Sequence, residues 1–211
     1  TGWVPLERFG MTEIGVGASN PIDPLGRRPG SVGKPLRTVE SRLVDEAGNE
    51  VTSGTGELWI RGPSVFKGYL GLEKATREAF AEGGWFRTGD VAEISADGYV
   101  RLLGRTSVDI LKSGGYKLSA LEIEEALREN PAVAEVAVVG LPDETWGERV
   151  VAVVVAAPGR AHECAGDVLR AWAKERMAAY KVPRDVHVVD SLPRNALGKV
   201  VKPEVIAGLR R

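Results

Sequence analysis

Residues 84–118 read GWFRTGDVAEISADGYVRLLGRTSVDILKSGGYKL, and the rest of the chain is organised around this stretch. It carries Ala96-Asp97-Gly98 and Gly114-Gly115, each between β-prone runs. Tight hairpins need such residues, because their central positions sit at positive φ, where glycine is tolerated without steric cost. The stretch therefore reads as two successive β-hairpins. A carboxylate at Asp90 lies just before the first turn and a guanidinium at Arg105 follows it. By themselves, an acid and an arginine so spaced read equally well as an ordinary surface ion pair, since short motifs match often by accident.

Composition narrows the classes. The chain has 211 residues, enough for one large domain or two small ones, and 43% of them are hydrophobic, enough for a packed core. A formal charge of -1 provides no basic field for nucleic acid or an anionic membrane. The single cysteine, Cys164, has no partner within the chain, and His162 and His187 lack the spacing of a metal site, so packing or surface roles are expected. The longest apolar run, residues 150–157, falls far short of the roughly 20 residues of a membrane span. A soluble, cytoplasmic protein that engages neither nucleic acid nor membrane is the expectation.

The elements on either side follow from pattern. The opening Trp3-Val4-Pro5-Leu6 looks like a strand and turn, and residues 20–35, rich in Gly and Pro, read as a loop. Within that loop Gly30-Ser31-Val32-Gly33-Lys34-Pro35 lacks the GxxxxGK[ST] spacing of a phosphate-binding loop. Alternation over 39–44 and 56–61 with a turn near 46–49 predicts antiparallel strands, followed by a helix around 72–80. Ser119 and Glu122 form a capping box for a helix stopped by Pro131. Strands are expected at 134–139, 149–157 and 185–189. A helix over 166–180 should bury Leu169, Trp172, Ala173, Met177 and Tyr180. The fold class is thus α+β.

Three ordered blocks span nearly the whole chain. They are Arg8-Phe9-Gly10-Met11-Thr12-Glu13; then Thr88-Gly89-Asp90 through Gly104-Arg105 and Lys112-Ser113-Gly114-Gly115-Tyr116-Lys117 to Leu121-Glu122-Ile123-Glu124; and Pro193-Arg194-Asn195-Ala196-Leu197-Gly198-Lys199. Together they resemble the adenylate-forming superfamily of acyl-CoA synthetases, adenylation domains and luciferases. Their wording looks most like malonyl-CoA (methylmalonyl-CoA) synthetases. The Ser/Thr/Gly-rich phosphate loop of that family does not occur in this sequence, which therefore looks like the C-terminal part of a longer enzyme and is expected to be inactive in isolation.

The resemblance implies the following. Residues 1–106 would be the end of a large N-terminal domain with a small antiparallel β-barrel part. Residues 107–211 would be a mobile α+β domain with a three-stranded sheet. Phe9 would lie against adenine, Thr12 would approach the phosphates, and Glu13 would help hold Mg²⁺, which prefers hard oxygen ligands. Asp90 would accept from the ribose hydroxyls of ATP or AMP, with Arg105 reaching ribose and phosphate. Ser107 occupies the hinge position, where the family commonly has Asp or Lys. Ser113, Gly114 and Gly115 would line the pantetheine tunnel of coenzyme A, although a bare turn explains two glycines equally well. Lys199 would be the catalytic lysine of adenylation, and Arg8 would pair with the distal carboxylate of a dicarboxylic acid, or else face solvent or a structural acid. The expected activity is ATP-dependent ligation of malonate or methylmalonate to CoA. A fatty-acyl or aryl-CoA ligase, and a non-catalytic nucleotide- or CoA-binding fragment, are the alternatives.

Overall fold

The computed structural model describes residues 5–210; the strand expected at Trp3-Val4 lies outside them. The chain divides into two compact units, Thr1–Thr106 and Ser107–Arg211. Among the described residues no helix is long and apolar enough to cross a membrane.

The first unit is almost all β. Strands β1 (Arg8–Met11), β2 (Gly15–Ser19) and β3 (Lys34–Pro35) form a three-stranded antiparallel sheet. Strands β4 (Glu40–Val44), β5 (Glu50–Val51) and β6 (Thr55–Arg61) follow. Helix α1 (Glu73–Ala79) comes next, then β7 (Phe80–Ala81), β8 (Trp85–Ile94) and β9 (Val100–Arg105). These six strands make one antiparallel sheet, ordered β5-β4-β6-β8-β7 with β9 also on β8, which curls as the barrel-like part of the unit. Its core gathers Leu43, Leu58, Ile60, Phe86 and Val100, inward residues of its strands, together with Ile14 from the turn between β1 and β2. The first expected hairpin is β8–β9, its turn closed by Ser95 N donating to Tyr99 O at 2.9 Å.

The second unit is α+β. Strands β10 (Ile110–Ser113) and β11 (Tyr116–Ser119) form the second expected hairpin. Helix α2 (Ala120–Arg128) starts where the Ser119 hydroxyl accepts from Glu122 N at 3.1 Å, which satisfies one of the amides a helix start leaves open. Strands β12 (Val133–Asp143) and β13 (Gly147–Ala156) pair antiparallel over their whole length. Helix α3 (Gly166–Lys174) leads to β14 (Asp185–Val188), which runs parallel to β13. The chain closes on α4 (Lys202–Leu209), a helix not expected from the sequence. The three expected strands are β12, β13 and β14. The β10–β11 hairpin extends their sheet to five through the pairing of Ser113 with Gly147. One face of the sheet packs on α2 and α3 through Val136, Val138, Ile123, Leu127 and Leu169; the other packs on α4 through Val139, Val151 and Val205.

One expectation fails. The helix begun at Gly166 ends at Lys174 instead of reaching Tyr180, and beyond it turns carry the Lys181 ammonium to 2.6 Å from Glu122 Oε1. Leu169 and Ala173 are fully buried, but Tyr180 is 45% exposed and its ring stacks on Tyr116 with centroids 4.4 Å apart. Leaving the helix takes Tyr180 off its apolar stripe. Leu169→Ala should therefore weaken the second unit by about 2–5 kcal/mol, whereas Tyr180→Ala should change it by no more than about 0.5 kcal/mol. Native-state hydrogen exchange at the β13 amides measures both, and equal losses would restore Tyr180 to the core.

Candidate functional site

Asp90 sits in the middle of β8, where both neighbouring strands lose register. Against β6, Glu57 pairs with Val91 but Trp59 pairs with Arg87, so Thr88, Gly89 and Asp90 stand opposite Leu58 alone. Against β9, the register slips again between Val91 and Ala92. Bulges of this kind bend a strand and re-aim its side chains. Gly89 takes φ 74°, a conformation that L side chains rarely adopt, and its N–H donates to Glu57 Oε1 at 3.0 Å. The buried Thr88 hydroxyl donates to Leu58 O at 2.6 Å and accepts from Asp90 N at 3.1 Å. Thr88-Gly89-Asp90 is thus a stiff bulge that sets the direction of one carboxylate.

The Asp90 side chain is 10% exposed and faces Arg105, its register partner on β9, with Nε to Oδ1 at 3.1 Å. The arginine side chain is 47% exposed. A buried acceptor behind a solvent-facing fork of donors suits a ligand that carries both hydroxyls and an anionic group.

The Arg8–Glu13 block occupies β1 and the turn after it. Thr12 is exposed in that turn and Glu13 is half-buried. Glu13 is held from two sides, its carbonyl accepting from Phe66 N at 2.8 Å and its Oε1 accepting from the Tyr69 hydroxyl at 3.0 Å. Burial raises the Tyr69 phenol above its ordinary value, the Glu13 hydrogen bond and charge add to this, and the Arg105 charge acts oppositely. The structure thus links Glu13, Tyr69, Arg105 and Asp90 in one region. Tyr69, 56 residues from Glu13, was not singled out by the sequence; only its place in a Gly-Tyr-Leu run among loop residues could have hinted at it.

Phe9 lies on the inward face of β1. It is 7% exposed and belongs to the core with Ile14 and Ala18, so most of its ring surface is taken up by protein. Arg8, on the opposite face of β1, is exposed, and among the described residues its guanidinium has no ion-pair partner.

In the second unit, Gly114 and Gly115 form the β10–β11 turn at φ 58° and 82°, and Ser113 beside them is buried. Gly114 N donates to Trp146 O at 2.9 Å, and a Cβ at Gly114 would come within 2.9 Å of the Trp146 ring. The Arg184 guanidinium lies 3.5 Å from the centroid of that same indole. Beside the turn, Tyr116 follows Gly115 in sequence and stacks on Tyr180, so the turn is flanked by aromatic residues at Trp146 and Tyr116. The sequence singled out neither Trp146 nor Arg184. Lys199 lies in a turn built by Asn195, whose Oδ1 accepts from Leu197 N and Lys199 N, both at 3.0 Å. Its side chain is exposed and, among the described residues, makes no ion pair. Ser107 is exposed in a turn at the boundary of the two units.

The family profile described as AMP-binding enzyme matches residues 3–70, and that described as AMP-binding enzyme C-terminal domain matches residues 122–199. The chain belongs to the adenylate-forming superfamily. It is 46% identical over 229 residues to a mitochondrial malonate–CoA ligase of Mus musculus, covering 99% of this chain and 39% of that protein. A malonate–CoA ligase of Arabidopsis thaliana is 45% identical over 213 residues, covering 97% of this chain and 34% of the relative. The crystal structure of ATP-bound MatB from Rhodopseudomonas palustris superposes with a TM-score of 0.89 at 39% identity, over 99% of this chain and 41% of that one. The superfamily member described here therefore spans well under half the length of these relatives.

Because the folded phenol of Tyr69 titrates above the unfolded one, the stability it contributes is fully present below the unfolded value near 10 and is lost as pH rises through the folded value. Ultraviolet difference titration of the parent protein against Tyr69→Phe should show the missing tyrosine ionising above pH 10, and Glu13→Gln should lower that midpoint. A Tyr69 midpoint at or below 10 would contradict the geometry.

Proposed function

We propose that this chain is the C-terminal part of an AMP-forming acid–CoA ligase acting on malonate or methylmalonate. Residues 1–106 would complete a large adenylate-forming domain, and residues 107–211 would form the mobile domain that turns about Ser107. The observation that carries the reading is the bulged Asp90 carboxylate behind Arg105, with Glu13 held close by through Tyr69.

The reaction proceeds in two steps. An oxygen of the acid attacks the α-phosphorus of ATP; the new O–P bond forms as the bond to the bridging oxygen breaks, and pyrophosphate leaves with the electron pair. The CoA thiolate then attacks the acyl carbon and AMP departs with the electrons of the C–O bond. Adenylation brings anions together, so it depends on placed cations and orientation more than on proton transfer. Asp90 accepts from the ribose hydroxyls and Arg105 donates to ribose and phosphate. Lys199 spans the attacking carboxylate and the α-phosphate, and the exposure of its ammonium leaves it available for that task. Thr12, exposed in the turn after β1, approaches the phosphates. Phe9 contributes at most a ring edge beside the adenine, given its burial.

Magnesium fits the residues present. Among the described residues no cluster of three or more His, Cys, Asp or Glu could hold a metal, but Mg²⁺ keeps much of its water shell and is commonly held by one or two carboxylates together with substrate phosphates. Glu13, oriented by the Tyr69 hydroxyl, is such a carboxylate. The ion would neutralise phosphate charge there.

For the thioester step, Ser113, Gly114 and Gly115 line the path of the pantetheine arm. The Trp146 ring and Arg184 guanidinium beside the turn suit the nucleotide end of coenzyme A. The malonate–CoA ligase names of the relatives support the choice of acid. Arg8, exposed and without an ion-pair partner among the described residues, would receive the second carboxylate of malonate.

The deciding experiment uses the full-length protein. CoA-dependent AMP formation is compared with malonate, methylmalonate, acetate, a medium-chain fatty acid and benzoate. Preference for malonate or methylmalonate is expected; preference for a monocarboxylate would keep the chemistry and discard the substrate. Lys199→Ala should slow adenylation by about 10² to 10³-fold, or roughly 2.7–4 kcal/mol, with far less effect on thioester formation from preformed adenylate. Equal loss in both half-reactions would count against its role. Arg8→Ala should reduce kcat/KM for malonate by about 10- to 100-fold while sparing acetate, and unchanged malonate kinetics would remove Arg8 from the site.

A further inference from the structure

Lys202 is the first residue of α4 and is buried, its side chain 10% exposed. A cation at the positive end of a helix is misplaced with respect to the helix dipole. Here two buried carboxylates compensate it. Lys202 Nζ lies 2.5 Å from Asp109 Oδ1 and 2.8 Å from Glu124 Oε1. Glu124 Oε1 also accepts from Val138 N at 2.8 Å, and its Oε2 pairs with Arg128 at 3.1 Å. One ammonium therefore ties together α4, the start of β10, α2 and the centre of β12.

Buried charges of this kind are weak evidence for stability, because apolar groups of similar shape often serve as well. What they specify is position, and the positions joined here are informative. Asp109 comes two residues after Ser107, and its carbonyl accepts from Ala120 N at 2.7 Å. Lys202 comes three residues after Lys199. The intervening chain is stiff: Asn195 N donates to Lys199 O at 2.9 Å, Val201 N to Pro193 O at 2.9 Å, and Glu204 N to Val201 O at 3.0 Å. Arg194 bonds both Gly198 O and Glu135 on β12. On the other side of Ser107, Thr106 N donates to Gly89 O at 3.0 Å, beside Asp90. Only Ser107 and Val108 lie between the anchored residues Thr106 and Asp109.

We infer that Lys202 is a positioning residue for Lys199. With Asp109 and Glu124 it forms a clasp that makes the Lys199 turn and the first residues beyond Ser107 one rigid body, so that rotation at Ser107–Val108 carries the lysine without play. This rests on the function proposed above. Catalysis by a positioned cation is sensitive to small displacements, of order 10²-fold for about 1 Å.

The test uses the full-length enzyme with two variants. Lys202→Met leaves two carboxylates buried without their cation and will be destabilised. The triple variant Lys202→Met, Asp109→Asn, Glu124→Gln removes all three charges and should keep the parent Tm. In both, adenylation kcat, measured by ATP–pyrophosphate exchange, should fall about 10- to 100-fold with little change in the KM for ATP, while thioester formation from synthetic malonyl-adenylate stays within about threefold. A triple variant that melts with the parent and adenylates at the parental rate would overturn the inference. So would equal slowing of both half-reactions, which would mark a general structural effect. If instead the parent enzyme itself shows no adenylation with any acid, the functional reading fails first, and the variants are not what decides it.

Discussion

A carboxylate taken out of water must be met by a cation or by donors, and the first unit is built around that requirement at Asp90. The bulge that aims it needs a glycine at positive φ, a buried threonine bridging two strands, and a glutamate on the neighbouring strand to take up the freed amide. The length of β8 follows from this. One half of it pairs with β7 and β6 and the other with β6 and β9, and the two halves meet at the bulge. Remove the bulge and an uninterrupted strand would carry Asp90 toward a different neighbour, because a one-residue shift of register exchanges the faces of a sheet.

The second unit solves a different problem. Its strands β12 and β13 are covered on both faces, which explains their near-continuous Val and Ala runs. The groups proposed to take part in chemistry lie in turns: the glycine pair after β10 and the Asn195–Lys199 turn before α4. The Lys202–Asp109–Glu124 cluster is the exception, a polar centre inside the unit. Burial of charge there is offset by direct pairing, with Asp109 meeting the ammonium and Glu124 accepting from an ammonium, a backbone amide and a guanidinium at once.

Features set by neighbours in sequence were legible. Asp97-Gly98 and Gly114-Gly115 announce their hairpins because turn geometry depends on two or three adjacent residues. Ser119 announces the start of α2 because a cap spans three. The alternation of β4 and β6 and the apolar spacing of α2 are likewise local. Where local pattern competed with tertiary contacts it misled: Tyr180 continues the apolar stripe of α3 in sequence, yet the helix stops at Lys174 and the ring lies at the surface.

The sequence alone determined the superfamily and the two-hairpin organisation and named candidate residues for a site, because motifs and turn chemistry are written in short windows. Only the tertiary structure decided which of those residues meet. Tyr69 reaches Glu13 across 56 positions and Lys202 reaches Asp109 across 93. Such pairs leave no periodic trace, since a hydrogen bond or ion pair between distant residues depends on the path of the chain between them and not on the residues beside either partner.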